Sequence, residues 1–217
     1  QYNSNASIKS IQIPNKEKIQ EELKSKDPLI ITYPENKLHL TIQNMNTLIP
    51  GYIIKDGETL ISLNQLINSK TIQITDNKKL VDDYKLKDHY DSIYNLVKNY
   101  ISCDSSYQLS LYRGSYQSQL YRNYRENLLL QSLHGSFNLY LFNPKHESEI
   151  RGLELNTIKK WGIKLTVTRD TVVVIPTEWS YFYELDDDNA EDDEELILLK
   201  IECDSIPTWL FNRIRRK

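Results

Sequence analysis

The sequence predicts a mainly β protein, a sandwich or barrel with helical decoration near both ends. Three observations carry this expectation: many short apolar or alternating segments, only a few stretches with helical spacing, and no regular strand–helix alternation of the kind a doubly wound sheet needs. The 217 residues fit a single domain on a scale of about 150 residues each. Within it, residues 1–105 read as a helix and strand lead-in and residues 106–217 as the barrel core.

Each element has its own signal. Pro14 to Lys26 places Ile19 and Leu23 four apart among charges after a proline, which predicts a short amphipathic helix. Leu29 to Tyr33 is a buried-strand run stopped by Pro34. From Leu80 to Tyr100, apolar residues recur at three and four, predicting one long helix, and Thr208 to Arg216 predicts a last one. The segments His39–Gln43, Thr71–Thr75 and Lys164–Thr168 alternate and predict half-buried strands. Asn127–Leu130, Leu139–Phe142, Thr171–Ile175 and Leu196–Ile201 are continuously apolar and predict strands covered on both faces.

Composition bounds function. With 39% hydrophobic and 26% charged residues, the chain can bury a core, which excludes a disordered or collagenous protein. No window approaches the roughly 18 apolar residues of a membrane span. The chain starts at Gln1 rather than Met, as a trimmed or processed chain would, which leaves localisation open. Net charge is −3, yet eight acids crowd into residues 186–195; subtracting them leaves the remainder at +5. That run is expected to be a solvated hairpin loop, and Arg213, Arg215, Arg216 and Lys217 form a basic end. Cys103 and Cys203 match no metal or redox spacing; a single bridge between them stays open.

From Arg113 the chain reads RGSYQSQLYRNYRENLLLQSLHGSFNLYLFNP, and later RDTVVVIPTEWSYFYE. Asn127, Gln131, Gly135, Leu141, Phe142 and Pro144, followed by Asp170, Ile175, Pro176 and Trp179, occupy a pattern that resembles the JmjC-like cupin family. The resemblance implies a double-stranded β-helix barrel and, in active members, Fe(II) held by two histidines and a carboxylate, with 2-oxoglutarate as cosubstrate. The positions that correspond to those ligands are Tyr121, Asn123 and Tyr181. Neighbouring registers, Leu120 with Arg122 and then Phe182, supply no ligand set either. The lysine that pairs with the cosubstrate in part of the family corresponds to Phe137. The expectation is therefore a degenerate member without metal or cofactor, its pocket lined by Tyr121, Asn123, Asn127, Phe137, Trp179 and Tyr181. For Trp179 the simpler role is that of a core or rim aromatic.

His89-Tyr90-Asp91 spells the metal-binding dipeptide spacing, but on a helix residues two apart point about 200° apart and cannot chelate one ion. His134 and His146 lack a second ligand at metal spacing. Tyr107, Tyr112, Tyr116, Tyr121 and Tyr124 interleave with Arg113, Arg122 and Arg125. Either they line and rim a filled barrel, or Tyr112, Arg113, Tyr116, Arg122 and Arg125 form a ligand surface for nucleic acid, sugar or peptide.

The functional expectation is a non-catalytic binding or structural module with protein partners. The alternatives are an active Fe(II)/2-oxoglutarate oxygenase and a nucleic-acid-binding module. The bias toward Ile, Asn, Lys and Tyr suits an AT-rich genome, such as that of a large DNA virus or a protist; in the viral case a virion component is expected.

Overall fold

Residues 8–12, 15–32, 40–99, 101–185 and 195–215 are described by the structure, a computed structural model. The acidic run from Asp186 to Glu194, with Tyr33 and Pro34, lies outside them; Glu195 opens a strand.

The first half supplies β1 (Lys9–Ile11), α1 (Lys16–Leu23), β2 (Leu29–Thr32), α2 (Ile42–Leu48), β3 (Ile53–Asp56), β4 (Thr59–Ser62), α3 (Leu63–Ile67), β5 (Ile72–Asn77), α4 (Lys78–Asp83) and α5 (Leu86–Val97). The second half supplies β6 (Ser102–Arg113), β7 (Tyr116–Gln117), β8 (Tyr121–Arg122), β9 (Asn127–His134), β10 (Phe137–Phe142), α6 (Glu147–Ile150), α7 (Leu155–Ile158), β11 (Ile163–Val167), β12 (Thr171–Pro176), β13 (Ser180–Leu185), β14 (Glu195–Ser205) and α8 (Ile206–Arg215). The protein is mainly β, as its sequence predicts.

Two expectations are corrected. Alternation over His39–Gln43 predicts a strand, yet Ile42–Leu48 is helical. Thr41 accepts a hydrogen bond from the Asn44 amide, and this cap lets Ile42 and Met45, three apart, share one buried face. The single helix expected over Leu80–Tyr100 is two, because Lys85 sits at φ +51° and turns the chain between α4 and α5.

A seven-stranded sheet runs β1-β2-β12-β9-β14-β6-β5, and a second runs β11-β10-β13-β7, with β8 also paired to β13. Since β7 and β8 both pair with β13, and the Ser118 amide donates to the Tyr183 carbonyl between them, they act as one interrupted strand. From β6 onward the chain passes repeatedly between the two sheets. β6, β9, β12 and β14 join the large one; β7 with β8, β10, β11 and β13 make the small one.

Strand alternation sorts the side chains. Leu128, Leu130, Val173, Ile175, Leu196 and Leu198 of the large sheet meet Phe137, Leu139, Leu141, Tyr181 and Tyr183 of the small sheet in one core. The opposite set, including Leu129, Leu133, Val172, Val174, Leu199 and Ile201, packs under α1, α2, α4 and α5. Tyr140, Phe142 and Phe182 stack on the outer face of the small sheet, beneath Ile150 and Ile158. Both sheets are thus covered on two faces over much of their length, which explains the continuously apolar strands.

The candidate functional site

β8 and β13 place the first and last of the predicted ligand positions side by side. Tyr121 and Tyr181 are direct partners in the antiparallel ladder, and their rings stack with centroids 5.4 Å apart. Tyr181 is buried and Tyr121 half-buried against the same core. Burial raises both phenols, Tyr121 to about 12 and Tyr181 beyond that. Neither offers a phenolate at neutral pH.

Asn123, the middle position, is 3% exposed, and both ends of its amide are hydrogen-bonded. Its Nδ2 donates to the Ile175 carbonyl at 2.8 Å, and its Oδ1 accepts from the Arg125 amide at 2.9 Å. Its own backbone bonds both the Trp179 carbonyl and the Glu178 amide. Side chain and backbone together tie the loop after β8 to the end of β12 and to the turn before β13.

Behind this pair the interior is aromatic. Phe137 packs edge-on against Tyr183 with centroids 5.7 Å apart, and Tyr112 stacks on Tyr116 at 4.2 Å. The hydroxyls of Tyr112 and Tyr183 share a hydrogen bond of 2.8 Å. Trp179 is buried, and its Nε1 donates to the Lys26 carbonyl. The predicted set of Tyr121, Asn123 and Tyr181 does not fit Fe(II) and 2-oxoglutarate: two protonated phenols and an amide bonded to Ile175 and Arg125 present no anionic or imidazole donor.

Tyr121, Phe137, Trp179 and Tyr181 belong to one core cluster, with Phe137 at the far end of β10 from the Tyr121–Tyr181 pair, and Asn123 flanks it through its bonds to Ile175 and Trp179. Asn127, at the start of β9, pairs with Pro176 and Cys203 in the ladder. The five members of the expected ligand surface are not gathered on one face. Tyr112 is fully buried. Arg113 donates to the carbonyls of Leu66, Ile67 and Ser69 and pairs with Glu195 at 3.0 Å. Arg122 pairs with Glu147 and Glu178, and Arg125 with Glu202 and Asp204. These guanidinium groups hold loops to strands.

His89 is exposed on α5, whereas Asp91 accepts a 2.7 Å hydrogen bond from Tyr107, so the dipeptide is split as helix geometry requires. His39 lies outside the described residues. Among the described residues, no group of three or more His, Cys, Asp and Glu side chains is placed to hold a metal ion. Cys103 and Cys203 are both free thiols.

Concavities open on the surface among the described residues. A cleft of about 400 Å³ beside Tyr121 is lined by Arg122, Tyr124, Glu147, Arg151 and Ser180. A groove of about 890 Å³ lies between α1, the end of α5 and the strand ends at Asn127 and Pro176; Leu23 and Val97 line it together with Lys16, Lys24, Lys26 and Lys98. Its lysines are scattered from residue 16 to residue 98, so no local motif announced it. No family model matches the chain, and no curated protein sequence matches it.

Proposed function

We propose that the chain is a double-stranded β-helix of the JmjC-like cupin type that has exchanged its metal chemistry for a packed interior and serves as a binding or structural module. The strand order supports the fold reading: eight successive strand positions from β6 to β14 distribute between two facing sheets as β12-β9-β14-β6 and β11-β10-β13-β7/β8, the interleaving expected when a paired ribbon winds into a jelly roll. A likeness carried by Asn127, Gln131, Gly135 and Pro144 accords with it, since Gly135 forms the β9–β10 turn at φ +73°.

The observation that carries the functional reading is the Tyr121–Tyr181 stack, which occupies the place the resemblance assigns to two ligating histidines. The nucleic-acid alternative gains nothing from Arg113, Arg122 and Arg125, each engaged with a carboxylate. The test is elemental analysis of the purified protein combined with thermal melting. No stoichiometric iron or zinc and no shift with 2-oxoglutarate are expected. One tightly held metal per chain, or stabilisation by 2-oxoglutarate, overturns the reading.

A further inference from the structure

The C-terminal helix presents its apolar side to the outside. α8 packs beside β6 and β14 and is tied to the loops around them: the Ile206 amide donates to the Ile101 carbonyl just before β6 at 3.0 Å, and buried Asn212 donates to the Tyr124 carbonyl of the β8–β9 loop at 2.8 Å. At about 100° per residue, Asn212 and Thr208 define the inner side. Ile206, Leu210, Ile214 and Phe211 then fan over about 140° of the outer side. They are respectively 50%, 47%, 75% and 62% exposed. Large side chains on a helix with a buried polar side and an exposed apolar side invert the usual arrangement, and such a patch marks an interaction surface.

Charge decides the occupant. Arg213 borders the apolar sector and lies over the Trp209 ring at 5.1 Å, and the sequence continues through Arg215, Arg216 and Lys217. Residues 206–217 contain no Asp or Glu, so two copies of α8 laid together would join apolar faces while neutralising none of these cations. An anionic lipid surface takes up both parts at once: acyl chains accept the isoleucine, leucine and phenylalanine side chains, headgroups pair with the arginines, and Trp209 suits the boundary. We propose that α8 is a peripheral membrane anchor, lying flat on an anionic leaflet. This is a surface attachment and requires no spanning segment; no helix among the described residues is long and apolar enough to cross a bilayer. It stands independently of the non-catalytic reading.

The test is co-sedimentation of the full chain with vesicles of phosphatidylcholine alone or with equimolar phosphatidylserine. Cations near an anionic surface strengthen attachment, so binding to the phosphatidylserine vesicles is expected to exceed that to neutral ones by more than about tenfold and to fall as salt rises. The double variant Leu210→Glu/Phe211→Glu, altered only at exposed positions, is expected to keep the wild-type melting temperature and lose binding by at least about tenfold. Wild-type protein that stays in the supernatant overturns the proposal. So does a double variant that binds like wild type, which would assign the attraction to charge alone. A dimer in sedimentation velocity that the double variant dissolves also overturns it, by making a second copy the occupant.

Discussion

Tyr112 and Tyr183 stand on opposite sheets, β6 and β13, and join them through a 2.8 Å hydrogen bond between their hydroxyls inside the sandwich. A bond formed where water is excluded is costly to break from one side, because the remaining hydroxyl loses its partner without regaining solvent. Tyr183→Phe and Tyr112→Phe are each expected to lower stability by about 1–2 kcal/mol. The double replacement is expected to cost clearly less than the sum, since it removes both polar groups together. A double-mutant cycle from urea denaturation measures the coupling; additive costs would mean the two hydroxyls act separately.

The same buried phenols set the alkaline limit of the fold. Burial raises Tyr112, Tyr181 and Tyr183 well above the ordinary value of 10.0, and Tyr84 and Tyr121 to about 12. Below pH 10 both folded and unfolded chains hold these protons, and stability does not depend on them. Above pH 10 the unfolded chain releases protons that the folded one retains, so stability falls with rising pH through the folded values. The melting temperature is expected to be level from pH 8 to pH 9 and to drop steeply above pH 10. Phenolate absorbance from the buried tyrosines should appear together with the loss of near-ultraviolet circular dichroism, rather than ahead of it.

Asn123 stands where the proposed cupin alignment would expect a carboxylate, and its hydrogen bonds oppose one at that position. Its Nδ2 faces the Ile175 carbonyl, and Asn123→Asp would set a buried negative charge against that oxygen. A loss of about 2–3 kcal/mol is expected at neutral pH. The new carboxyl would be held above its unfolded value of about 3.9, so the deficit should shrink as pH falls and the protonated acid donates in place of the amide. Equal destabilisation at pH 4 and pH 7 would refute this account of the site.

Much of the sheet pattern was legible because continuous apolar runs such as Thr171–Ile175 and Leu196–Ile201 are dictated by burial on two faces. The α2 error arose because His39–Gln43 alternates over too few residues to compete with a threonine cap at Thr41 and with Ile42 and Met45 on one face. The Lys85 break could not be read locally, since a lysine at positive φ is imposed by the packing of α4 and α5 and not by its own preference. At the candidate site, motif order located Tyr121 and Tyr181 but not the ring stack between them. The partners of Arg122 and Arg125 lie 25 to 79 residues away in sequence, beyond any local pattern, so arginines that look free in sequence are paired with distant carboxylates of the same chain.

Gly135 and Gly51 separate backbone strain from steric conflict. Both lie at positive φ, +73° and +71°, but a Cβ on Gly135 would sit 2.3 Å from the Glu195 carbonyl oxygen, whereas one on Gly51 meets nothing within 4 Å. Gly51→Ala is expected to cost about 1 kcal/mol from conformation alone. Gly135→Ala should cost at least about 2 kcal/mol more, because β14 must move away from the β9–β10 turn. Comparable denaturant midpoints for the two variants would show that the turn has room to shift.

The pairing of Tyr121 with Tyr181 also predicts what an introduced imidazole pair would do. Cross-strand partners hold their Cβ atoms about 4.5–5.5 Å apart, a span that two histidine side chains can close on one zinc ion. Tyr121→His/Tyr181→His loses the ring stack and part of the buried area, so the metal-free variant is expected to melt below wild type. Zinc binds the folded pair in preference to the unfolded chain, and at a hundredfold excess over its dissociation constant it returns about 2.7 kcal/mol. The melting temperature should therefore rise with zinc in the double variant, rise far less in either single variant, and stay unchanged in wild type. A double variant indifferent to zinc would mean that the two positions do not converge on an ion, and the proposal of a former metal site between β8 and β13 would fall with them.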